Sequence, residues 1–129
     1  MAGPLIYLGT HGIKEGRMDD ALAASQDLVA FLELEHPRLL QFEVYLDGRA
    51  GEMRVIHVHP DEQSLVDHLR LAGPRIAAAY EFLEGTKQIE IFGNPSQPLV
   101  EQIQKMGVGA PVTFRVPDAG FSRLDGPSA

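Results

Sequence analysis

The sequence has no cysteine and no tryptophan, and it has a single asparagine, Asn94, in 129 residues. Without cysteine there is no disulfide, no thiolate nucleophile and no cysteine-based zinc or iron–sulfur site. No apolar run approaches the ~20 residues that a membrane helix needs. Cations are scarce too: 11 Lys and Arg against 18 Asp and Glu leave a formal charge of −7, with no basic run. Phosphate binding depends on clustered Lys and Arg, so no nucleic-acid or anionic-membrane partner is expected. The opening MAGPLIYLGTHGIKEG has no charged leader before an apolar stretch of signal length. A soluble, cytoplasmic protein is the expectation. A Gly-x-Gly-x-x-Gly turn, a phosphate-binding loop and a Gly-x-Ser-x-Gly elbow are also missing. That argues against nucleotide-cofactor folds and serine-hydrolase chemistry.

What remains is one domain's worth of chain, 44% apolar and 22% charged, which suits a packed core. PLIYLGTH (4–11) alternates as a strand, with Leu5, Tyr7, Gly9 and His11 on one face and Ile6, Leu8 and Thr10 on the other. From Arg17 to about His36 the period becomes helical, on Met18, Leu22, Ser25, Leu28 and Leu32, and Pro37 ends it. LLQFEVYLDG (39–48) and GEMRVIHVH (51–59) are strands joined by the short turn DGRAG. Pro60-Asp61 opens a second helix, with Leu65, Val66, Leu69 and Ile76 as its apolar face and a bend or break expected at Gly73-Pro74. TKQIEIFG (86–93) is a fourth strand. A short helix from about Pro98 to Met106, a strand-like PVTFRV and a tail follow.

The order strand–helix–strand–strand–helix–strand predicts an α+β, ferredoxin-like βαββαβ domain over residues 1–96, with a four-stranded antiparallel sheet. Residues 97–129 form an extension of the same domain. Two helices cover one face of such a sheet, yet its strands carry large apolar residues on both faces. A second copy placed sheet to sheet would cover the other, so a homodimer is expected.

KEGRMDDALAASQDLVAFLELE with its HP turn, LLQFEVYLDG, and VHPDEQSLVDHL resemble the antibiotic-biosynthesis-monooxygenase family of dimeric α/β-barrels over about residues 5–93. Asp61 and His68 match the family's acidic opening and histidine of the second helix. IEIFGNPS resembles family members that carry a C-terminal extension. The resemblance implies a dimeric barrel and a cofactor-free monooxygenase acting on a small aromatic or polyketide-like molecule. A non-catalytic binding or interaction protein of the same fold is the alternative. The chain lacks the tryptophan on the sheet and the first-strand asparagine common among cofactor-free and haem-degrading relatives. It reads IAAAYEF where haem degraders place an axial histidine, with Tyr80 the one candidate ligand, so no haem is expected.

Five histidines are the chief chemical resource. His57 and His59 share a strand face and could share a metal, with Glu43 or His11 as a third ligand. The commoner outcome is a structural pair, and neither metal nor cofactor is expected. His68 falls on the apolar stripe of its helix, either as an oriented acid–base group at a pocket edge or as a helix–sheet hydrogen bond. It is the expected catalytic base. Tyr7, His11, His57 and His59 are the expected substrate-binding residues, and Phe42, Phe82 and Phe92 are assigned to the core. Strand alternation keeps Tyr7 and His11 together without fixing which way they point.

Overall fold

The structure, a computed structural model, describes residues 3–106 and 109–123. Its elements run β1 (Leu5–Ile13), α1 (Met18–Glu35), β2 (Gln41–Asp47), β3 (Glu52–His59), α2 (Glu62–Ala79), β4 (Leu83–Phe92), α3 (Gln97–Met106) and β5 (Val112–Arg115). The first six match the expected strand–helix order. The sheet differs from the expectation in its extent: it has five strands, in the order β2-β3-β1-β4-β5. β1 pairs antiparallel with both β3 and β4, β2 pairs antiparallel with β3, and β5 lies parallel to β4. The sheet is therefore mixed rather than four-stranded and antiparallel. A parallel neighbour needs a crossover rather than a hairpin, and α3 supplies it. Leu99 and Ile103 of α3 are buried beside Leu65, Ile89 and Ile91, so the extension is held by the main core.

The second difference is α2, which runs unbroken through Pro74 to Ala79. A proline inside a helix removes one hydrogen bond and crowds the carbonyl a turn earlier. Packing on both sides of Pro74 offsets this. Leu65 and Leu69 before it and Ala79 after it join the core clusters against the same sheet. The start of α2 follows the sequence signal closely. Asp61 is its N-cap and accepts from the backbone N–H of Ser64 at 3.0 Å, which satisfies one of the free donors of the first turn. Arg38 pairs with the same carboxylate and ties the β2 approach to this helix end.

Gly93 closes β4 at φ +143°, where a Cβ would lie 2.3 Å from Leu5 Cδ2 and 2.9 Å from the Pro4 carbonyl. Only glycine fits against the start of β1 there.

All three helices lie over the face that carries Tyr7, His57, Ile89 and Ile91. The opposite face presents Ile6, Leu8, Ile56, Val58 and Phe92, exposed or half-buried, and Tyr45, which is exposed. Among the described residues, no helix is long and apolar enough to cross a membrane.

Candidate functional site: a histidine-lined cavity

A cavity of about 380 Å³ lies between the sheet and the helices. Small residues create it. Ala21, Ala24 and Ser25 of α1 and Ala78 and Ala79 of α2 form its roof. Only Ala21 and Leu32 of α1 are buried, so this helix spans the sheet without filling the space beneath it. Val44, Met53, Val55, Leu69, Ile76 and Ile89 make the walls largely apolar.

Tyr7 and His11 both face this cavity, which settles the direction that alternation left open. The point where a Gly9 Cβ would sit is 3.1 Å from Tyr7 Cε1, 3.7 Å from its hydroxyl and 3.2 Å from His11 Nε2. The two side chains therefore converge over the glycine. His11 Nδ1 lies 3.1 Å from Thr86 Oγ1, and Thr86 Oγ1 lies 3.1 Å from the Tyr80 hydroxyl. With His11 Nδ1–H donating to Thr86, the lone pair of the imidazole sits on Nε2, the atom over Gly9. The Tyr7 hydroxyl has no hydrogen-bond partner among the described residues. Burial raises the Tyr7 pKa, with the neighbouring Tyr80 adding to the effect, so the phenol stays a neutral donor. Burial lowers the His11 pKa, which keeps it unprotonated at neutral pH.

The deeper end of the cavity is built from rings. His57 is sandwiched between Tyr7 and His68, with centroids 4.2 Å apart on each side and interplanar angles of 18° and 20°. Strand register explains the first contact, because Tyr7 and His57 are direct cross-strand partners and Phe42 is the partner of His57 on its other side. His57 Nδ1 lies 2.6 Å from His59 Nε2, and His59 Nδ1 lies 2.8 Å from Ser64 Oγ. His36 Nε2–H donates to the Ser64 carbonyl at 3.0 Å. One residue of the first turn of α2 thus fixes two histidines from different elements.

Burial dominates the electrostatics here. It lowers the His57 pKa well below 6.5, with His68, His59 and His36 adding repulsion. It lowers His59 to about 4 and His68 to about 3, each aided by nearby histidines. All three are neutral imidazoles at pH 7. His68 Nδ1 is buried with no hydrogen-bond partner among the described residues, an arrangement that costs a folded protein stability.

Four of the five expected site residues, Tyr7, His11, His57 and His68, line the cavity. His59 does not, because it is fully buried behind His57 and reaches the cavity only through that ring. Glu43 and His11 are not third partners of the His57–His59 pair. Glu43 pairs with Ile56 on the opposite face, and the third histidine is His68. Of the phenylalanines assigned to the core from sequence, Phe82 is a core residue that also lines the cavity, Phe42 lines the cavity outside both core clusters, and Phe92 is half-buried on the opposite face of the sheet. His36 and Ser64 were missed. In sequence His36 reads only as the end of α1, and Ser64 as an ordinary first-turn residue.

No family model and no curated protein matches this sequence. Solved structures do match its fold. MupZ from Pseudomonas fluorescens superposes with a TM-score of 0.78 over 98% of this chain and 99% of its own, at 17% identity. A candidate antibiotic biosynthesis monooxygenase from Caulobacter crescentus gives 0.65 over 74% of this chain and 92% of its own, at 16% identity. Another from Chloroflexus aurantiacus gives 0.58 over 72% and 94%, at 14% identity. The chain has the α+β fold of the antibiotic-biosynthesis-monooxygenase proteins. Its likeness to MupZ extends over nearly the whole length, C-terminal extension included.

Proposed function

We propose that the protein is a small-molecule enzyme of the monooxygenase type that its fold is shared with, and that the cavity between sheet and helices is its active site. The observation that carries this reading is the convergence of His11 Nε2 and the Tyr7 hydroxyl over Gly9 inside an apolar enclosure. The walls suit a small aromatic or polyketide-like molecule. An unprotonated nitrogen beside a neutral hydroxyl donor suits removal of an acidic proton with stabilisation of the resulting oxyanion.

His11 takes the role of base better than His68. A group with a pKa of about 3 holds a proton poorly, and a general base works best with a pKa near the operating pH. His11 is half-buried and oriented by Thr86. His68 stacks behind His57 and shapes the deep end. In the proposed reaction His11 Nε2 accepts a proton from an activated C–H, and Tyr7 donates to the enolate or phenolate oxygen. The carbanion reduces dioxygen to a hydroperoxide, which loses water to leave a ketone: R2CH2 + O2 gives R2CO + H2O. The fold likeness supports the oxygenation step by analogy.

A hydroxyanthrone is a fitting probe, because its benzylic C–H is acidified by the rings and the carbonyl. Oxygen uptake above the buffer rate, matched one to one by quinone and lost in His11→Gln, supports the reading. Uptake equal to buffer, or unchanged in His11→Gln, overturns it. The apolar outer face of the sheet supports a homodimer through Ile6, Leu8, Ile56 and Phe92. Loss of basicity by burial at every cavity histidine with a resolved shift favours a second reading, a binding protein without catalysis.

A further inference from the structure

We propose that His57, His59 and His68 form a binding site for one divalent transition-metal ion, with zinc as the reference case, opening onto the cavity. The observations are geometric. One ring nitrogen from each histidine lies within 4.8 Å of the other two. Imidazole nitrogens bound to zinc at 2.0–2.1 Å in a tetrahedral site are about 3.4 Å apart. Shifts of about an ångström bring the three donors onto one ion, widening the 2.6 Å His57–His59 contact and drawing in the longer separations.

Two features distinguish this cluster from a chance grouping. His68 is 2% exposed, and its Nδ1 has no partner among the described residues although it is buried beside the other two rings. A bound cation would satisfy that nitrogen. His59 is oriented by Ser64 Oγ on its Nδ1 side, which leaves Nε2 facing His57. A second hydrogen bond of this kind is the usual support for a ligating histidine.

The donor set also selects the ion. Three imidazoles with no thiolate and no carboxylate suit zinc, cobalt, nickel or copper(II), and not magnesium or calcium. His57 and His68 line the cavity while His59 lies behind them. A fourth coordination position therefore faces the cavity, open to water or to an anionic oxygen of the bound molecule, as in three-histidine sites that keep an open position. Tyr7, stacked on His57 and converging with His11, lies between this site and the proposed base.

The test is metal binding by the full chain, stripped with chelator and titrated with zinc chloride in a calorimeter, with stoichiometry read by elemental analysis. One zinc per chain is expected. His68→Ala and His57→Ala are expected to lower the affinity at least tenfold, while His11→Ala leaves it unchanged. His68→Gln serves if the alanine variant fails to fold. Cobalt(II) gives a variant-free reading on the wild-type protein: intense visible bands of a four-coordinate nitrogen site are expected. Absence of zinc binding, equal binding by wild type and folded His68 variants, or the weak spectrum of hydrated cobalt overturns the proposal. None of these readouts depends on turnover, so the oxygenase reading stands or falls separately.

Discussion

The rings of His57 and His68 lie 4.2 Å apart and 20° from parallel, although one projects from the middle of a strand and the other from a helix. Two imidazoles stacked this closely cannot both be charged without strong repulsion. Together with His59 they take up protons far more readily in the unfolded chain than in the folded one.

That difference predicts acid sensitivity. The folded pKa values are depressed, to about 4 for His59 and about 3 for His68, against 6.5 in the unfolded state. Between those limits the unfolded chain binds more protons, so stability falls as pH falls. The contribution is intact above pH 6.5, begins to go there, and is fully lost once pH passes the folded values. Each histidine adds a slope of about 1.4 kcal/mol per pH unit within its window. Urea midpoints of chelator-treated protein should drop steeply from pH 7 to pH 5. A flat profile over that range would show that the cluster is not buried as described.

Gly93→Ala should destabilise the fold by about 1–3 kcal/mol, the range for forcing extra volume into a packed site. The new methyl meets Leu5 Cδ2, which can move, and the Pro4 carbonyl, which is backbone. Its positive φ adds strain for any L side chain. Thermal melts of the two proteins side by side decide it, and an unchanged midpoint would contradict the close approach.

The sequence made much of this legible. The alternation of β1 and β3, the helical stripe of α2, and the cap at Asp61 all survive in the structure, because each depends on local periodicity; the stripe of α1 holds only in part, since Leu22 is exposed and Ala21 is buried in its place. What was not legible depends on packing between distant elements. PVTFRV looked strand-like, but its parallel pairing with β4 rests on α3 docking against Leu65 and Ile89. Pro74 signalled a break that tertiary contacts override. The histidine cluster was half visible: His57 and His59 share a face by alternation, whereas His36 and His68 join them only once α1 and α2 lie over the sheet. Phe42 could not be told from a core residue, since cavity and core share the same strand face.

Asp61→Ala removes the cap of α2 and the partner of Arg38. Loss of a helix cap costs about 1 kcal/mol. Because Ser64 is set by that cap and in turn holds His59 and His36, the variant should also loosen the cluster. Broadened or shifted His59 resonances in a histidine-selective NMR spectrum would register it; a spectrum identical to wild type would detach the cap from the site.

For catalysis, Tyr7→Phe should lower kcat/KM for the hydroxyanthrone about 100- to 1,000-fold, the scale of one lost oxyanion donor. Thr86→Val should cost less and chiefly affect kcat, since it releases the orientation of His11 while keeping the shape of the residue 86 side chain. Steady-state oxygen uptake separates the two. Full activity in Tyr7→Phe would remove the hydroxyl from the mechanism.

The outer face offers its own check. Ile56→Lys places a charge in the middle of the apolar sheet surface while leaving the cavity side untouched. The homodimer proposed through this face should then dissociate, with light scattering reporting a halved mass and circular dichroism unchanged; an unchanged mass would contradict that interface.

The most direct test of the central claim, that the space between sheet and helices is where a small molecule binds, is an NMR titration of the ¹⁵N-labelled protein with 2-naphthol. Saturable shifts are expected at Gly9, His11, Val55, Leu69 and Thr86, around the cavity. Shifts confined to Ile6, Ile56 and Phe92 on the outer face, or no saturable shift at all, would contradict it.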